Sequence, residues 1–459
     1  MRFNKTRTNL QQKSGFSNGM KWYFCGEQVF VFNPLLTLHL IFYNVFLLLY
    51  TLAIRIAALW NGKAQRWVNG RKALWDELQV LQQRGPGKLV WMHCASLGEF
   101  EQGRPLIEAI RKNYPHTRIL ITFFSPSGYE IRKNYEGADW VFYLPMDSAK
   151  AAARFVDLVK PDLVLWVKYE YWYYFLVTLK KRQIPTLLIS GIFRHNQPFF
   201  KWYGRLHRYM LESFHHLFIQ SEASQELLAS IGFTANVSIS GDTRFDRVAT
   251  IAENAAPIPI AETFCGHHPV IVAGSTWLED EEELDHYANT HTDIRFIIAP
   301  HEISEERLRE VEKLFKHSVR YSELQAEGGA AADHAEANVL IIDNIGMLSR
   351  LYRYATIAYI GGGFGEDGVH NVLEAAVYGK PVVFGPEYAK YAEAVSLVEL
   401  GAAFSVPYAL ELEQVFNRLL QDTAHYEQCC KASAGYVNEN RGATEKIMQY
   451  IREKRFLDN

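Results

Sequence analysis

The stretch that decides the fold is "IAYIGGGFGEDGVHNVLEAAVYGKPVVFGP", residues 357–386. It opens with an apolar run typical of a buried strand and continues through a glycine-rich loop. A helical pattern follows, which Gly379 and Pro381 close, and a second apolar run comes directly after it. Strand, loop, helix and strand in this order predict one βαβ unit of a parallel sheet.

The same alternation of apolar runs and helical patterns continues along most of the chain from Lys88 onward. One series of runs ends near residue 240, and a second series begins at "PVIVAGST" after the loose stretch 250–268. We therefore expect an α/β protein with two doubly wound parallel sheets facing a cleft. A chain of 459 residues is long enough for two domains of roughly 200 residues each.

The composition restricts the class of partner and the cellular compartment. Lys and Arg number 48 against 51 Asp and Glu, and the resulting net charge of −3 gives no overall bias toward nucleic acid. The five cysteines have neither metal-ligand spacing nor an even disulfide framework, which suits a reducing compartment. We expect a cytoplasmic globular part with no nucleic-acid partner.

Residues 33–60 are the exception to a soluble composition. The apolar run 35–54 has about the ~20 residues that a bilayer core requires, and Arg and Lys cluster directly after it. This pattern predicts a membrane-anchor helix with its basic flank in the cytoplasm. The helix either spans the membrane or lies in the interface, and a buried core helix is the alternative. We expect residues 1–32 to be a polar extension, in which Met1 or Met20 is the true start.

A basic and aromatic stretch between residues 180 and 216 is also suited to a membrane surface. It includes "FRHNQPFFKWYGRLHRYMLESFHH", which contains Arg194. Basic residues interleaved with aromatic ones are compatible with an RNA-binding surface or with an ordinary solvated helix. Beside an apolar N-terminal helix, an anionic lipid headgroup or the bilayer surface fits it better.

The loop after the first strand of the series carries a candidate general base. The segment "HCASLGEFEQGRPL" places Ser96 and Glu99 at the start of a helix. Ser96-x-x-Glu99 is also a capping box, in which Glu99 would only cap its own helix. A carboxylate at the carboxyl end of a strand that faces a cleft is well placed to accept a proton. Gly98 beside it would let a substrate approach the backbone.

Other strand-end loops carry polar groups that are not specific alone. Thr276-x-x-Glu279 forms a second capping-box pattern, and Lys168 stands beside Glu170 among aromatic residues. Small polar loops such as "SPSGYE" can bind phosphate through backbone N–H groups, although most are structural. The candidates from these loops are Ser125, Glu170, Arg244, Ser275, Thr276 and His301.

The glycine-rich loop itself supports two interpretations. Gly363, Gly365 and Gly368 satisfy G-x-G-x-x-G, a dinucleotide fingerprint, but that motif normally opens the first βαβ unit of its domain and here comes late. The following helix instead offers groups that a nucleotide-sugar could use. These are His370, Asn371 and Glu374, with His370 and Glu374 four residues apart on one helical face.

Taken together, these segments resemble the 3-deoxy-D-manno-octulosonic acid (Kdo) transferases of lipopolysaccharide synthesis, family 30 of the glycosyltransferases. The resemblance covers the chain from the membrane segment nearly to the C-terminus. It rests on "HCASLGEFEQGRPL", "TFFSPSGYE", "YLPMD", "KPDLVLWVKYEYW", "GDTRFD", "AGSTWLEDEEEL" and "GGGFGEDGVHNVLEAAVYGKPVVFGP".

This resemblance implies a GT-B fold, in which two Rossmann-like domains face a cleft beside an N-terminal membrane-associated helix. The first domain, residues 61–250, would bind the acceptor, and residues 251–268 would be the linker. The second domain, residues 269–459, would bind CMP-Kdo, with its last helix packing back on the first domain.

The family also implies an activity and a set of site residues. The reaction would be inverting transfer of Kdo from CMP-Kdo to a lipid A precursor at the cytoplasmic face of the inner membrane. Glu99 matches the proposed general base. The leaving group is a nucleoside monophosphate, so the resemblance implies neither a metal nor a cofactor. Donor-side matches are Ser275, Thr276, His301, Gly363, His370, Asn371 and Glu374; acceptor-side candidates are Ser96, Gly98, Ser125, Glu170 and Arg194, with Arg244 a possible phosphate or carboxylate contact.

The sequence departs from the family pattern at two places. Lys168 stands where the family usually has a glutamate, and Pro300-His301-Glu302 replaces a Pro-Arg-His. Three alternatives stay open from the sequence. They are another membrane-associated GT-B enzyme with a UDP-sugar donor, an NAD-dependent oxidoreductase, and a membrane-tethered nucleotide-binding scaffold.

Overall fold

The computed structural model describes residues 21–25, 28–32, 34–326 and 336–458. It contains two seven-stranded parallel sheets, as the alternating runs predict, and each sheet has an apolar core on both faces. Residues 1–20, most of the expected polar extension, lie outside the described part. The elements before the first sheet are strands β1 Lys21–Cys25 and β2 Gln28–Phe32, and helices α1 Pro34–Ala57, α2 Gly62–Asn69 and α3 Leu74–Glu77.

Helix α1 is the apolar N-terminal helix that the sequence predicts. It is 24 residues long, and its part Thr37–Ala57 is the one described helix long and apolar enough to cross a membrane. One face packs on the first domain through Leu40, Tyr43 and Leu47. The opposite face exposes large apolar side chains, namely Leu38, Ile41, Phe42, Val45, Phe46, Leu48, Leu49, Leu52 and Ile56.

The first sheet has the order β5-β4-β3-β6-β7-β8-β9. Its strands are almost continuously apolar because both faces of a parallel sheet are covered by helices. The strand order reverses between β3 and β6, so a crevice opens at their carboxyl ends. The strands are β3 Leu89–Cys94, β4 Arg118–Phe123, β5 Trp140–Tyr143, β6 Leu163–Val167, β7 Thr186–Gly191, β8 His216–Ile219 and β9 Val237–Ile239. The helices are α4 Leu97–Asn113, α5 Pro126–Arg132, α6 Ala149–Val159, α7 Tyr173–Lys181, α8 Arg205–Leu211 and α9 Glu222–Ser230.

The connection between the domains is more ordered than the expected loose linker. Helix α10, Thr243–Glu253, is followed by helix α11, Pro259–Cys265. Proline at the first position of α11 supplies the backbone angle that a helix start requires. Phe264 and Cys265 of α11 are buried in the core of the second sheet. The stretch 251–268 is therefore partly helical and belongs to a packed interface.

The second sheet repeats the design with the order β12-β13-β11-β10-β14-β15-β16. Its order reverses between β10 and β14, which places the second crevice there. The strands are β10 Val270–Thr276, β11 Arg295–Pro300, β12 Ser318–Arg320, β13 Val339–Ile341, β14 Ile357–Ile360, β15 Val382–Phe384 and β16 Ala403–Ser405. The helices are α12 Leu278–Thr290, α13 Glu305–Leu314, α14 Tyr321–Ala326, α15 Leu348–Leu351, α16 Leu373–Ala376, α17 Ala392–Glu399 and α18 Ala409–Gln421.

The last two helices join the domains. Helix α19, Thr423–Glu439, packs on the second domain, whereas α20, Ala443–Glu453, returns to the first. Ile447 and Ile451 of α20 are fully buried in the core on the α4 face of the first sheet. The Asp246 carboxylate of α10 accepts from the first amides of α20, at 2.6 and 2.7 Å. The C-terminal helices therefore stabilise the contact between the two domains.

Candidate active site

The crevices of the two sheets meet at the domain interface. Arg244, at the start of α10, donates to Asp242 at 2.9 Å and to Glu393 of α17 at 2.7 Å. Lys168, which follows β6, lies near enough to Arg244 and Glu393 for their charges to interact. The loops after β3 and β6 therefore lie close to the second domain, as a two-domain cleft requires.

Glu99 lies in the first turn of α4, at the crevice of the first sheet, and is only 7% exposed. Burial raises the pKa of its carboxyl to about 7, and the negative charge of Glu170 acts in the same direction. Hydrogen bonding to the Ala95 amide and the charge of Lys168 oppose this rise. Near neutral pH, about half of the Glu99 carboxyls are therefore ionised.

The capping box expected at Ser96 and Glu99 is wrong. Ser96 occupies the N-cap position, but its side chain makes no capping hydrogen bond to a described residue. The Glu99 carboxylate accepts from the amide of Ala95, one residue before the cap. Gly98 is exposed, and a Cβ built on it would have Ser96 Oγ as its nearest described neighbour, at 4.0 Å. This loop leaves open space beside the carboxylate, as expected from the glycine.

Glu170 is held by a chain of buried polar groups on neighbouring strands. Its Oε2 lies 3.2 Å from His93 Nε2 and accepts from Trp172 Nε1 at 3.0 Å. His93 Nδ1 lies 3.0 Å from Thr122 Oγ1, which itself accepts from Trp91 Nε1 at 2.8 Å. The Thr122 hydroxyl hydrogen can then go to Nδ1, and His93 Nε2–H donates to Glu170. This tautomer avoids placing two acceptors face to face.

Sequence reasoning missed His93, Thr122 and Trp172. The signal that could have found two of them is a polar residue in the middle of an otherwise apolar strand. His93 of β3 and Thr122 of β4 are direct partners in the sheet register. Because an unpaired polar group inside a parallel sheet is costly, two such residues in adjacent strands indicate a hydrogen-bonded pair.

Lys168 and Arg244 differ in whether their positive charges are paired with carboxylates. Arg244, expected to contact a phosphate or carboxylate, already has two carboxylate partners in Asp242 and Glu393. Lys168 makes no ion pair with a described residue, and its Nζ lies 4.9 Å from the centre of the Tyr169 ring. Its backbone is left-handed, with φ of 60°, at the end of β6. Burial lowers the pKa of Lys168, and Arg244 acts in the same direction.

The remaining acceptor-side candidates lie on adjacent loops of the first sheet. Ser125 is the N-cap of α5, where its Oγ accepts from the Ser127 amide at 3.3 Å. Its hydroxyl therefore has a capping role. Arg194 is exposed in the loop after β7, where its amide donates to Gln197 Oε1 at 3.0 Å. Its positive charge lies near enough to the Tyr169 hydroxyl to lower the pKa of that group.

The donor-side loop after β10 is tightly built. Ser275 has a left-handed backbone, with φ of 56°. Thr276 is buried, and its hydroxyl donates to Glu281 at 2.7 Å, so its side chain is committed to α12. The expected capping box at Thr276 and Glu279 is wrong by one residue. Trp277 is the N-cap of α12, and the carboxylate of Asp280 accepts from its amide at 2.9 Å.

Asp280 also fixes the glycine-rich loop. Its carboxylate accepts from the Gly362 amide and from the Tyr359 hydroxyl, both at 2.8 Å. Gly363 packs so closely on the next loop that an added Cβ would lie 2.5 Å from the Gly385 nitrogen, and Gly368 has φ of +83°. These glycines permit close backbone packing. The loop follows β14, a late strand of its domain, which disfavours the dinucleotide interpretation.

Three rings form a stacked wall at the second crevice. The His301 ring stacks on the Trp277 ring and on the His370 ring, with a centroid distance of 4.6 Å in each pair. Trp277 Nε1 donates to His370 Nε2 at 3.2 Å. Burial lowers the pKa of His370 to about 4, and the adjacent His301 contributes to the shift. His370 is therefore neutral at physiological pH. Trp277 was absent from the predicted site.

The helix expected at the glycine-rich loop is shorter than predicted. Helix α16 has four residues, so His370 precedes it and shares no helical face with Glu374. Instead, Asn371 Nδ2 donates to Glu374 Oε1 at 3.1 Å. Burial raises the pKa of the Glu374 carboxyl. Gly379, where the sequence predicts the end of the helix, is left-handed with φ of +65°. It lies beyond the observed end of α16 at Ala376.

The residues that the structure describes contain no group of three or more His, Cys, Asp or Glu side chains that could hold a metal ion. The site therefore consists of one carboxylate-rich crevice, one crevice lined by stacked rings, and the Lys168 ammonium near their interface.

Comparison with known proteins identifies the family of the chain. Residues 71–247 match a family described as 3-deoxy-D-manno-octulosonic-acid transferase. The chain is 28% identical over 383 residues to the 3-deoxy-D-manno-octulosonic acid transferase of Chlamydia trachomatis serovar A, covering 81% of this chain and 87% of that protein. The enzyme of the same name from Bordetella pertussis is 25% identical, with 88% and 98% covered. The chain is thus similar to Kdo transferases over more than four fifths of its length.

This Kdo transferase is a glycosyltransferase of lipopolysaccharide synthesis, as the sequence motifs indicate. Solved structures support the two-domain fold. The UDP-GlcNAc 2-epimerase from Neisseria meningitidis superposes with a TM-score of 0.56 at 17% identity, covering 80% of this chain and 100% of that one. A Staphylococcus aureus MnaA–UDP complex gives 0.55 at 15% identity, with 81% and 97% covered. At these identities the likeness concerns the fold, and the predicted GT-B class is confirmed.

Proposed function

We propose that this Kdo transferase moves Kdo from CMP-Kdo to a hydroxyl of a lipid A precursor, with Glu99 as the general base. The observation that carries this proposal is a buried carboxyl with a pKa of about 7 at the crevice of the first sheet. A base is most effective when its pKa lies near the working pH, because it is then ionised and still basic. The open backbone at Gly98 gives the acceptor hydroxyl access.

The reaction is a single displacement. The acceptor oxygen attacks the anomeric carbon of Kdo and forms the new glycosidic bond. The bond from that carbon to the phosphate oxygen breaks, and CMP leaves with the bonding electron pair. Glu99 takes the proton of the acceptor hydroxyl as the bond forms. One displacement inverts the anomeric configuration.

The donor would occupy the crevice of the second sheet. The wall of Trp277, His301 and His370 offers flat rings on which cytosine can stack. Asn371 and Glu374 supply hydrogen-bonding groups for the ribose. Ser275 and Gly363, the other members of the predicted donor set, shape the two loops of this crevice through a left-handed backbone and close packing on Gly385.

Lys168 is the cation best suited to an anionic part of the donor. Kdo carries a carboxylate and CMP a phosphate, whereas the Arg244 charge is already shared between two carboxylates. The Lys168 ammonium has no such partner among the described residues and lies near Glu99. We assign to Lys168 the contact with the phosphate or with the Kdo carboxylate. Lysine stands at this position, where the family usually has a glutamate.

Acceptor binding would use Ser96, Gly98, Glu170 and Arg194 on the first domain, close to α1. We place the enzyme at the cytoplasmic face of the inner membrane. Helix α1 is packed on the domain along much of its length, so its exposed apolar face suits a helix that lies in the membrane interface rather than across it. Exposed Trp202 in the neighbouring basic and aromatic stretch suits the same surface.

Release of CMP from CMP-Kdo by the purified full chain tests this proposal. The assay is run in detergent with and without a tetra-acylated lipid A precursor, and EDTA is present throughout. Acceptor-dependent CMP release that persists in EDTA supports the donor, the acceptor and metal independence together. Release with a UDP-sugar but not with CMP-Kdo contradicts the proposed donor.

A further inference from the structure

A cavity of about 530 Å³ lies between the apolar N-terminal helix and the first domain. Phe42 and Phe46 of α1 form one wall, and Leu206 and Met210 of α8 form the opposite wall. Glu170 also lines the cavity. The volume is within the usual range for a small-molecule site, roughly 300–1,000 Å³.

The α1 wall of this cavity is fixed to the catalytic domain. The Tyr43 hydroxyl donates to Asp147 Oδ2 at 2.6 Å. The buried Asp147 carboxylate also accepts from the amides of Tyr174 and Phe175, at 3.0 and 3.1 Å, at the start of α7. The Tyr174 hydroxyl donates to Asn44 of α1 at 2.9 Å. Helix α1 is thus a component of the domain and not a free tether.

The cavity connects two surfaces that the reaction must bring together. Phe42 and Phe46, at its α1 wall, are 64% and 56% exposed and continue into the outer apolar face of the helix. Glu170, which also lines the cavity, is close enough to Glu99 to raise the pKa of that carboxyl. A chain entering from the membrane would therefore place a headgroup beside the proposed base.

We infer that this cavity receives a fatty-acyl chain of the lipid-linked acceptor, with α1 serving as a wall of the acceptor site. The inference rests on the proposed function, because the acceptor must carry both a hydroxyl for Glu99 and an apolar chain. The lining is mostly aromatic and aliphatic, with His39, Gln197 and His207 as further polar members, and its one carboxylate, Glu170, lies near Glu99. Such a lining favours a hydrocarbon over an anionic headgroup.

The test is to fill the cavity with the variant Leu206→Trp in the full chain. Leu206 is 4% exposed on the α8 wall. Leu48→Trp is the matched control, because Leu48 is 69% exposed on the outer face of α1 and does not line the cavity. Each enzyme is assayed with the tetra-acylated precursor and with the same glucosamine disaccharide bisphosphate after complete deacylation.

Leu206→Trp should raise KM for the acylated acceptor by at least about tenfold, since each methylene kept out of an apolar site weakens binding about fourfold. Its kcat/KM for the deacylated acceptor should stay within about twofold of the parent enzyme, as expected for a site not in contact with the headgroup. An acceptor with shortened chains should recover part of the lost affinity. Leu48→Trp should match the parent on both acceptors.

Equal losses on the two acceptors, or unchanged KM for the acylated one, would overturn the inference. If vesicle binding falls along with both activities, the cavity contacts bulk lipid instead. If Leu206→Trp does not fold by circular dichroism, Met210→Trp and Phe46→Trp repeat the comparison from both walls. A parent enzyme inactive on both acceptors would refute the proposed function itself and not the cavity assignment specifically.

Discussion

The two crevices of this Kdo transferase occupy the same position in their respective sheets but differ in chemistry. At the first, between β3 and β6, Glu170 and Lys168 lie close enough to Glu99 to change the pKa of its carboxyl. At the second, between β10 and β14, the prominent groups are the stacked rings of Trp277, His301 and His370. One topology thus supports a site for moving a proton and a site for holding a nucleotide.

The largest expected effect comes from removing the base at the first crevice. Glu99→Gln should lower turnover by about 10²–10⁴-fold, the usual contribution of general-base catalysis. Binding of CMP, measured by calorimetry, should stay unchanged because the nucleotide occupies the other crevice. Near-normal turnover would mean that Glu99 has only a structural role. Loss of CMP binding would mean that the nucleotide also depends on the first crevice.

The reciprocal change removes one ring of the second crevice. His370→Ala should weaken CMP binding by about tenfold, since stacking on an aromatic ring contributes roughly 1–3 kcal/mol per base. The pH dependence of kcat/KM should not move, because His370 is already neutral at the pH of the assay. A shifted pH profile with unchanged CMP affinity would reverse the assignment of the two sites.

Glu99→Gln should also stabilise the protein, because the native carboxyl binds its proton more tightly than the unfolded one. The pKa rises from 4.5 to about 7 on folding, so ionising Glu99 destabilises the native state progressively as the pH rises from 4.5 to 7. The gain at pH 8 should reach as much as roughly 3 kcal/mol and vanish below pH 4.5. Denaturant unfolding at both pH values measures it. An equal increase in the free energy of unfolding at both pH values would mean that the stabilisation comes from packing and not from the Glu99 charge.

A smaller effect is expected at Lys168. Its positive charge lowers the pKa of Glu99, so Lys168→Gln should move the acid limb of the kcat/KM profile to higher pH by a fraction of a unit. It should also weaken CMP-Kdo binding more than CMP binding if the ammonium contacts the Kdo carboxylate. Equal weakening of both ligands would place the phosphate there instead. If neither the pH profile nor the affinity for the two ligands changes, Lys168 is not part of the site.

Sequence reasoning located the crevices but not all the groups that line them. The alternation of apolar runs was enough to place Glu99 and the glycine-rich loop at strand ends. Both capping boxes were misassigned, because a carboxylate can reach several amides in a first turn and the chain direction before the helix decides which one. His93, which contacts Glu170, lies 77 positions before it in the chain. Only the register of β3 with β6 brings these two groups together.

The same limit applies to contacts between the domains. Arg244 is a plausible phosphate ligand in the sequence, and its partner Glu393 is separated from it by most of the second domain. The apolar N-terminal helix was predicted from composition, whereas the hydrogen bond from Tyr43 to Asp147 depends on how the helix packs. Local pattern therefore identified the elements, and long-range packing determined the partners.

The most direct test of the central claim is the pH dependence of kcat/KM for the full chain with CMP-Kdo and the tetra-acylated acceptor. A Glu99 base with a pKa of about 7 predicts a plateau above that pH and a fall of about tenfold per unit below it. In Glu99→Gln the remaining slow rate should lose this acid limb. A parent profile that stays flat down to pH 5, or an acid limb that persists in Glu99→Gln, would contradict the assignment of Glu99 as the base.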